Sequence, residues 1–355
     1  MNIYYILLAI LFFMFILQKI ISKNKNILYI FIAGVLLFIV IGFRDYSVGT
    51  DTLTYLNLYL ISGDYVKSYF INPPGLQSEC LFFITTNLIR ITGASPRIYF
   101  IITAIFISFS ISLFLKRYSK CPFLSYWLYI TLGMLGISMS ALRQILAICI
   151  TLYSFDYLIK GKRIKYIISV LIASLFHFSA IWILPVYLLR NIKLSLKERI
   201  FFLISSVSGA FLMKDFIILF LYRIGGDYSR YYDRVNTNGT SPLVVIVAIA
   251  ISAIGAVLYE KKKEVNGVDV FSIIYVFSCI NCIILMLSLN IDILSRLAYY
   301  FGIINIILLS NAIDAVKNKY LKLIMFLFCM IISLSQFVIA TPGDFIGIDN
   351  YLFNF

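Results

Sequence analysis

Hydrophobic positions in this chain fall in long unbroken blocks, and the polar positions between them are short and mostly basic. The blocks cover 3–17, 27–42, 81–91, 98–115, 123–137, 142–159, 164–189, 200–213, 243–258, 270–289, 297–313 and 323–340. Strands of a membrane barrel would alternate apolar and polar positions over about 10 residues; these blocks do not alternate. A spanning helix needs about 20 mostly apolar residues, so the pattern predicts an all-α polytopic membrane protein with roughly 11–14 transmembrane or re-entrant helices. One block, 164–189, is interrupted at His177 and Pro185 and flanked by basic clusters on both sides. It is long for one crossing and short for two, which predicts a hairpin with His177 near its tip.

The basic clusters set the orientation. Lys19, Lys23 and Lys25 follow the first block; Lys116, Arg117 and Lys120, the turn at 160–165, Lys261–Lys263, and Lys317, Lys319 and Lys322 follow later ones. Basic loops stay cytoplasmic, so both termini are expected outside. The chain then reads as a single transmembrane domain over 1–355, with outer loops at about 43–80 and 214–241 and an outer tail at 341–355. One stretch resists this scheme. With Arg44 outside and Lys116 inside, the chain between must cross an odd number of times, yet two blocks lie there. Either 81–91 is re-entrant or 52–70 hides a crossing.

Composition narrows the class. The chain is 62% hydrophobic and 13% charged, where a soluble domain carries about 25% charged residues. The net charge of +14 sits in loop clusters and is no nucleic-acid signal. No cleavable signal peptide is expected, because the first block has no basic leader and no small-residue cleavage site follows. Cys279 and Cys282 form a CxxC without further ligands nearby and read as helix-packing residues. No P-loop, GxGxxG or metal-ligand cluster is present, so neither cofactor nor metal is expected.

The candidate chemistry gathers on the outer side. Arg44, Asp45, Asp51, Arg143, His177, Asp227, Arg230, Arg234, Asp292 and Arg296 are all placed there by the charge rule. Arg143 and the only histidine, His177, flank the basic turn at 160–165, so a chain that goes in and comes back returns both to one face. Ionisable groups at helix depth are costly and mark function by default. An arginine fork suits a phosphate and stays charged when partly buried. The same arginines could equally snorkel to headgroups. Asp51 could act as a base or cap the helix that follows. His177 could be a general base or a core imidazole bonded to Ser174 or Ser179. Tyrosines of the 228–232 loop, Tyr231 among them, could stack on sugar rings.

The strings FRDYSVGTDTLTY, SALRQILA, ASLFHFSA and SRLAYYF, in this order and over nearly the whole chain, resemble the EpsG-type family of bacterial polysaccharide polymerases within the broader Wzy-like group. The RxxxGxD core is one residue longer here, with Arg44, Gly49 and Asp51. The resemblance implies a GT-C-like glycosyltransferase of the bacterial plasma membrane. It would join oligosaccharide repeat units carried on undecaprenyl diphosphate at the outer face, for capsule, exopolysaccharide or O-antigen. Its partners would be the lipid-linked oligosaccharide, the bilayer, a chain-length regulator and a flippase, with no cofactor and no nucleic acid. By position it implies site roles for Arg44, Asp51, Arg143, His177 and Arg296: Arg143 and Arg296 on the donor diphosphate, His177 or Asp51 as base, and Arg44 on Asp51 or a second diphosphate. Arg230 and Tyr231 are the loop residues expected to meet the glycan. A flippase for the same lipid, a glycan ligase and a non-catalytic scaffold are the rival readings.

Overall fold

The computed structural model describes residues 2–21, 26–73, 75, 79–224, 241–258, 264–291, 293–340, 347–348 and 350–354. The helices are α1 (Asn2–Ile21), α2 (Asn26–Gly42), α3 (Thr52–Ile71), α4 (Cys80–Ile91), α5 (Pro96–Tyr118), α6 (Pro122–Thr131), α7 (Met134–Ser140), α8 (Leu142–Ile159) and α9 (Arg163–Phe176). A 3₁₀ helix (Phe178–Leu189) follows, then α10 (Leu196–Ile224), α11 (Pro242–Leu258), α12 (Val270–Ser288), α13 (Ile293–Ala315) and α14 (Lys319–Ala340). Among the described residues the only strands are β1 (Glu264–Val265) and β2 (Val268–Asp269), a two-residue antiparallel hairpin. The protein is an all-α polytopic membrane protein. The helices α5, α8, α12, α13 and α14 are long and apolar enough to cross a bilayer, and α6 with α7 makes a sixth span if the bent pair counts as one. Residues Met1–Tyr187 with Met330–Phe355 form one compact unit and Leu188–Cys329 a second.

In the first unit α2 and α5 run antiparallel in close contact. Gly34 permits this, since a Cβ there would fall on Ser112 Oγ. With lipid outside there is little hydrophobic gain in pairing helices, so small residues and buried hydroxyls hold them. Tyr126 donates to Ser112 Oγ at 2.8 Å and lies 3.1 Å from Ile30 O, and Tyr29 donates to Leu11 O at 3.3 Å. Phe15 stacks on Phe123 at 4.4 Å, joining α1 to α6. Trp127 Nε1 donates to Ser333 Oγ at 3.2 Å, bringing in the last part of α14.

The parity problem has a structural answer. Most of the stretch at 43–80 is helical rather than loop, as α3. That helix pairs with α4: Tyr65 stacks on Phe83 at 4.2 Å and Gly63 faces Asn87 and Arg90. After α4 the chain is back beside the end of α2, because Arg97 Nη1, in the first turn of α5, donates to Arg44 O at 2.7 Å. The α3–α4 hairpin therefore starts and finishes at one end of the bundle. The traverse to Lys116 and Arg117 is made by α5 alone, which is an odd number of crossings. Neither α3 nor α4 is among the helices long and apolar enough to cross.

Two blocks read as continuous are broken. The block at 123–137 splits into α6 and α7 at Gly133 (φ 84°), with a bend of 57°. The block at 164–189 splits at His177, whose backbone is extended (φ −153°, ψ 117°). The 3₁₀ helix then folds back along α9. Tyr166 donates to Ile183 O at 2.5 Å, Tyr187 donates to Gly161 O at 3.3 Å, and the two rings lie 5.2 Å apart. The hairpin expected around His177 is present. At the opposite, basic end, the half-exposed Arg117 pairs with Asp156, which also accepts from Tyr118.

In the second unit α11 and α12 pack through buried small polar residues. Ser252 Oγ lies 2.6 Å from Ser278 Oγ and 3.2 Å from Cys282 Sγ. Cys279 and Cys282 are buried free thiols on α12. Asp269 caps α12, accepting from Phe271 N at 3.1 Å and Ser272 N at 3.4 Å.

Candidate functional site

The site begins where α7 stops and α8 starts. Ala141 (φ −108°, ψ 65°) interrupts the helix, and an interruption leaves carbonyls of the last turn without helical partners. In a membrane protein such groups must find partners within the protein. Met139 O is taken by Arg44 Nη2 at 3.1 Å, while the Thr52 hydroxyl, which donates to Val48 O at 2.6 Å, lies 3.3 Å away. Arg44 also donates to Ile41 O, and its guanidinium lies 5.1 Å over the Phe100 ring. It is only 2% exposed, so its fork is spent on the backbone ends of α2 and α7 rather than on Asp51. Burial lowers this guanidinium to about 10.

Between Arg44 and Asp51 the chain turns back on itself. Gly49 holds φ 92°, and a Cβ there would sit 2.7 Å from Met139 O. Both the left-handed backbone and the close approach demand glycine. Gly49→Ala is expected to cost roughly 2–4 kcal/mol from backbone strain and overpacking, seen as a lowered melting temperature in detergent; an unchanged melt would refute this reading of the loop. Asp45 accepts from Ser47 N at 2.9 Å, Ser47 Oγ at 2.8 Å and Asn354 Nδ2 at 2.9 Å, bonds that hold its carboxyl below its usual value. Asp51 occupies the N-cap of α3, but its side chain makes no capping bond. Its charge acts on Tyr55, one turn into α3.

A strap from the C-terminus lies across this loop. Gly49 N donates to Gly347 O at 2.7 Å, Asp45 N to Leu352 O at 2.8 Å and Asn354 N to Phe43 O at 2.9 Å. Tyr351 adds a bond to Val40 O at 2.7 Å. Sequence reading placed this tail outside and gave it no task.

Arg143, in the first turn of α8, meets His177, the C-cap of α9, through a residue that sequence reading missed. Glu79 Oε2 accepts from Arg143 Nη1 at 2.5 Å, and Glu79 Oε1 is bonded to His177 Nδ1. The Phe178 N–H bonds the same carboxylate. The Glu79 side chain is 9% exposed, against 20% for His177 and 35% for Arg143. Arg143 also bonds the Tyr55 hydroxyl and lies 5.9 Å over the Phe82 ring. A guanidinium has five donors, so this one keeps capacity for an anion. Tyr99 lies within the field of both Arg44 and Arg143, which brings the two arginines to one neighbourhood. Burial alone would raise the Glu79 carboxyl; the His177 hydrogen bond and the charges of His177 and Arg143 outweigh it and hold the group below its usual value. A depressed carboxylate contributes fully above its unfolded value of about 4.3. Its tie between α8 and α9 is lost as pH falls through the lowered value.

The structure thus brings Arg44, Asp51, Arg143 and His177 into one unit, with Glu79, Tyr55, Tyr99 and Arg97 among them. Arg296 lies exposed in the first turn of α13, in the other unit. Arg230 and Tyr231 fall outside the described residues. Glu79 left little trace in the sequence: a single carboxylate just ahead of a short apolar block, with no motif around it. Among the described residues no group of three or more His, Cys, Asp or Glu side chains could hold a metal ion.

A family model described as the EpsG family matches residues 27–352, from the first turn of α2 into the strap. No curated protein and no solved structure matches the chain significantly.

Proposed function

The chain belongs to the EpsG family, and from that premise we propose that it is a polysaccharide polymerase acting on undecaprenyl-diphosphate-linked repeat units at the outer face of the bacterial plasma membrane. The observation that carries the reading is the meeting of Arg143 and His177 at one end of the bundle. A cation for a diphosphate and an imidazole for a sugar hydroxyl are the two groups this transfer needs.

In this scheme the hydroxyl oxygen of an acceptor sugar attacks the anomeric carbon of the donor. The bond from that carbon to the diphosphate oxygen breaks, and undecaprenyl diphosphate leaves with the electron pair. Arg143 stabilises the charge growing on the leaving oxygen. His177 takes the hydroxyl proton, with Asp51 as the alternative acceptor. Arg44 serves by holding the loop that carries Asp51. Arg296 joins Arg143 on the donor diphosphate, an assignment that rests on its motif alone.

The test uses the purified full-length protein in liposomes, supplied with a synthetic undecaprenyl-diphosphate repeat unit. A ladder of lengthening glycans is expected. His177→Ala should slow it by about 10²–10⁴-fold, the usual worth of a general base. A His177→Ala protein that still builds full-length polymer moves the base role to Asp51. No ladder, with movement of the intact lipid between leaflets, replaces the polymerase reading by a flippase.

A further inference from the structure

We infer that Glu79 is a positioning residue for this transfer: its carboxylate fixes the His177 ring through Nδ1, so that Nε2 is the nitrogen left to take the acceptor proton. The inference rests on the polymerase reading above and deepens it.

Four observations support it. Both carboxylate oxygens are occupied, Oε1 by His177 and Oε2 by Arg143, so Glu79 itself is a poor proton acceptor. The group is almost fully enclosed, and a carboxylate is not buried without partners. Its backbone is held at φ 51°, ψ 40°, a left-handed conformation that costs a non-glycine residue energy and persists where the surroundings over-determine it. Finally, the partner of His177 Nδ1 lies 98 positions away in the chain, so the ring is oriented by a group from outside its own helix.

The chemistry follows from which nitrogen is free. A neutral imidazole has one donor and one acceptor nitrogen, and the bond made by one decides the role of the other. With the Nδ1 proton held by Glu79, Nε2 carries the lone pair. On transfer the acceptor hydroxyl proton moves to Nε2, its oxygen bonds the donor carbon, and the imidazolium formed is balanced by the Glu79 carboxylate. Among the described residues, the charged or titratable groups linked to His177 include Glu79 ahead of α4, Arg143 of α8 through Glu79, and Tyr55 of α3 through Arg143. One carboxylate therefore sets both the orientation of the proton acceptor and the place of the diphosphate-binding cation.

The single histidine makes the test direct. Full-length protein carrying ¹⁵N-histidine gives one imidazole in the nitrogen spectrum. The wild type should show Nδ1 protonated and Nε2 bare at alkaline pH. In Glu79→Gln, which keeps size and hydrogen-bond reach, the tautomer preference should weaken, since the carboxylate that holds the Nδ1 proton is removed. Glu79→Asp should lie between. In the liposome assay Glu79→Gln should lower kcat by at least about 100-fold while Glu79→Asp, which keeps the carboxylate, recovers part of the rate, which loss of packing alone would not do. An unchanged tautomer in Glu79→Gln overturns the inference, as does a wild-type rate. A wild type with the expected spectrum but no ladder overturns the polymerase reading, and the reaction role of Glu79 with it, while leaving the Glu79–His177 geometry in place.

Discussion

Arg143→Ala is expected to abolish polymer formation, a loss of at least about 10³-fold in rate, with the protein still folded. The catalytic loss follows from position and chemistry. Removing one donor to a developing oxyanion costs about 10²–10³-fold, and Arg143 is a full charge in a partly enclosed site rather than a neutral donor. The structural loss is small because Glu79 keeps His177 as its second partner; one hydrogen bond to a charged group is worth about 1.5–3 kcal/mol. Arg143→Lys should fail to restore the ladder. A lysine is a point charge and cannot bond a carboxylate, a tyrosine hydroxyl and a phosphate at once in the geometry of a fork. Retention of even a tenth of the wild-type rate by Arg143→Ala, at equal protein and equal melting temperature, would remove Arg143 from the mechanism.

Deleting residues 347–355 is the second large effect expected, and it involves no residue with a chemical role. The strap supplies three backbone hydrogen bonds to the loop at 43–49, with side-chain bonds from Asn354 to Asp45 and from Tyr351 to Val40. Each is worth about 1 kcal/mol net. Together they hold the Gly49 turn against Met139 O, and through it Asp51 and the start of α3. A displacement of about 1 Å in a positioning element can cost 100-fold in rate, so the truncated chain should lose at least that much. Limited proteolysis should find the 44–51 loop newly cut. Full-length polymer from the truncated protein would show that the strap merely covers the loop. Asn354→Ala, which removes one side-chain bond, should have a far smaller effect.

Some of this site was legible beforehand. The sequence pattern around the basic turn at 160–165 placed Arg143 and His177 at one end, because two apolar blocks joined by a short basic turn must run antiparallel. The hairpin around His177 was legible for the same reason, with Pro185 and the polar break as local signals. Glu79 was not legible: its partners His177 and Arg143 are 98 and 64 positions away, and nothing local announces them. Arg44 shows the converse. Its motif marked it as a ligand for Asp51 or a diphosphate, whereas in the fold its donors go to Ile41 O and to Met139 O, 95 positions away. That carbonyl is free only because α7 ends at Ser140, a break hidden inside what reads as one apolar block.

By itself the sequence determined the all-α membrane class, the family, the basic and non-basic ends of the blocks, and the return of Arg143 and His177 to a common end. These follow from transfer free energies and charge effects that add up along contiguous residues. Only the tertiary structure decided that α3 and α4 form a hairpin and leave α5 to cross. It alone put the strap on the Arg44–Asp51 loop and Glu79 between the arginine and the imidazole. Those outcomes depend on which buried donor finds which acceptor once helices pack, a pairing that links Asp45 to Asn354 across 309 positions and that no local pattern encodes.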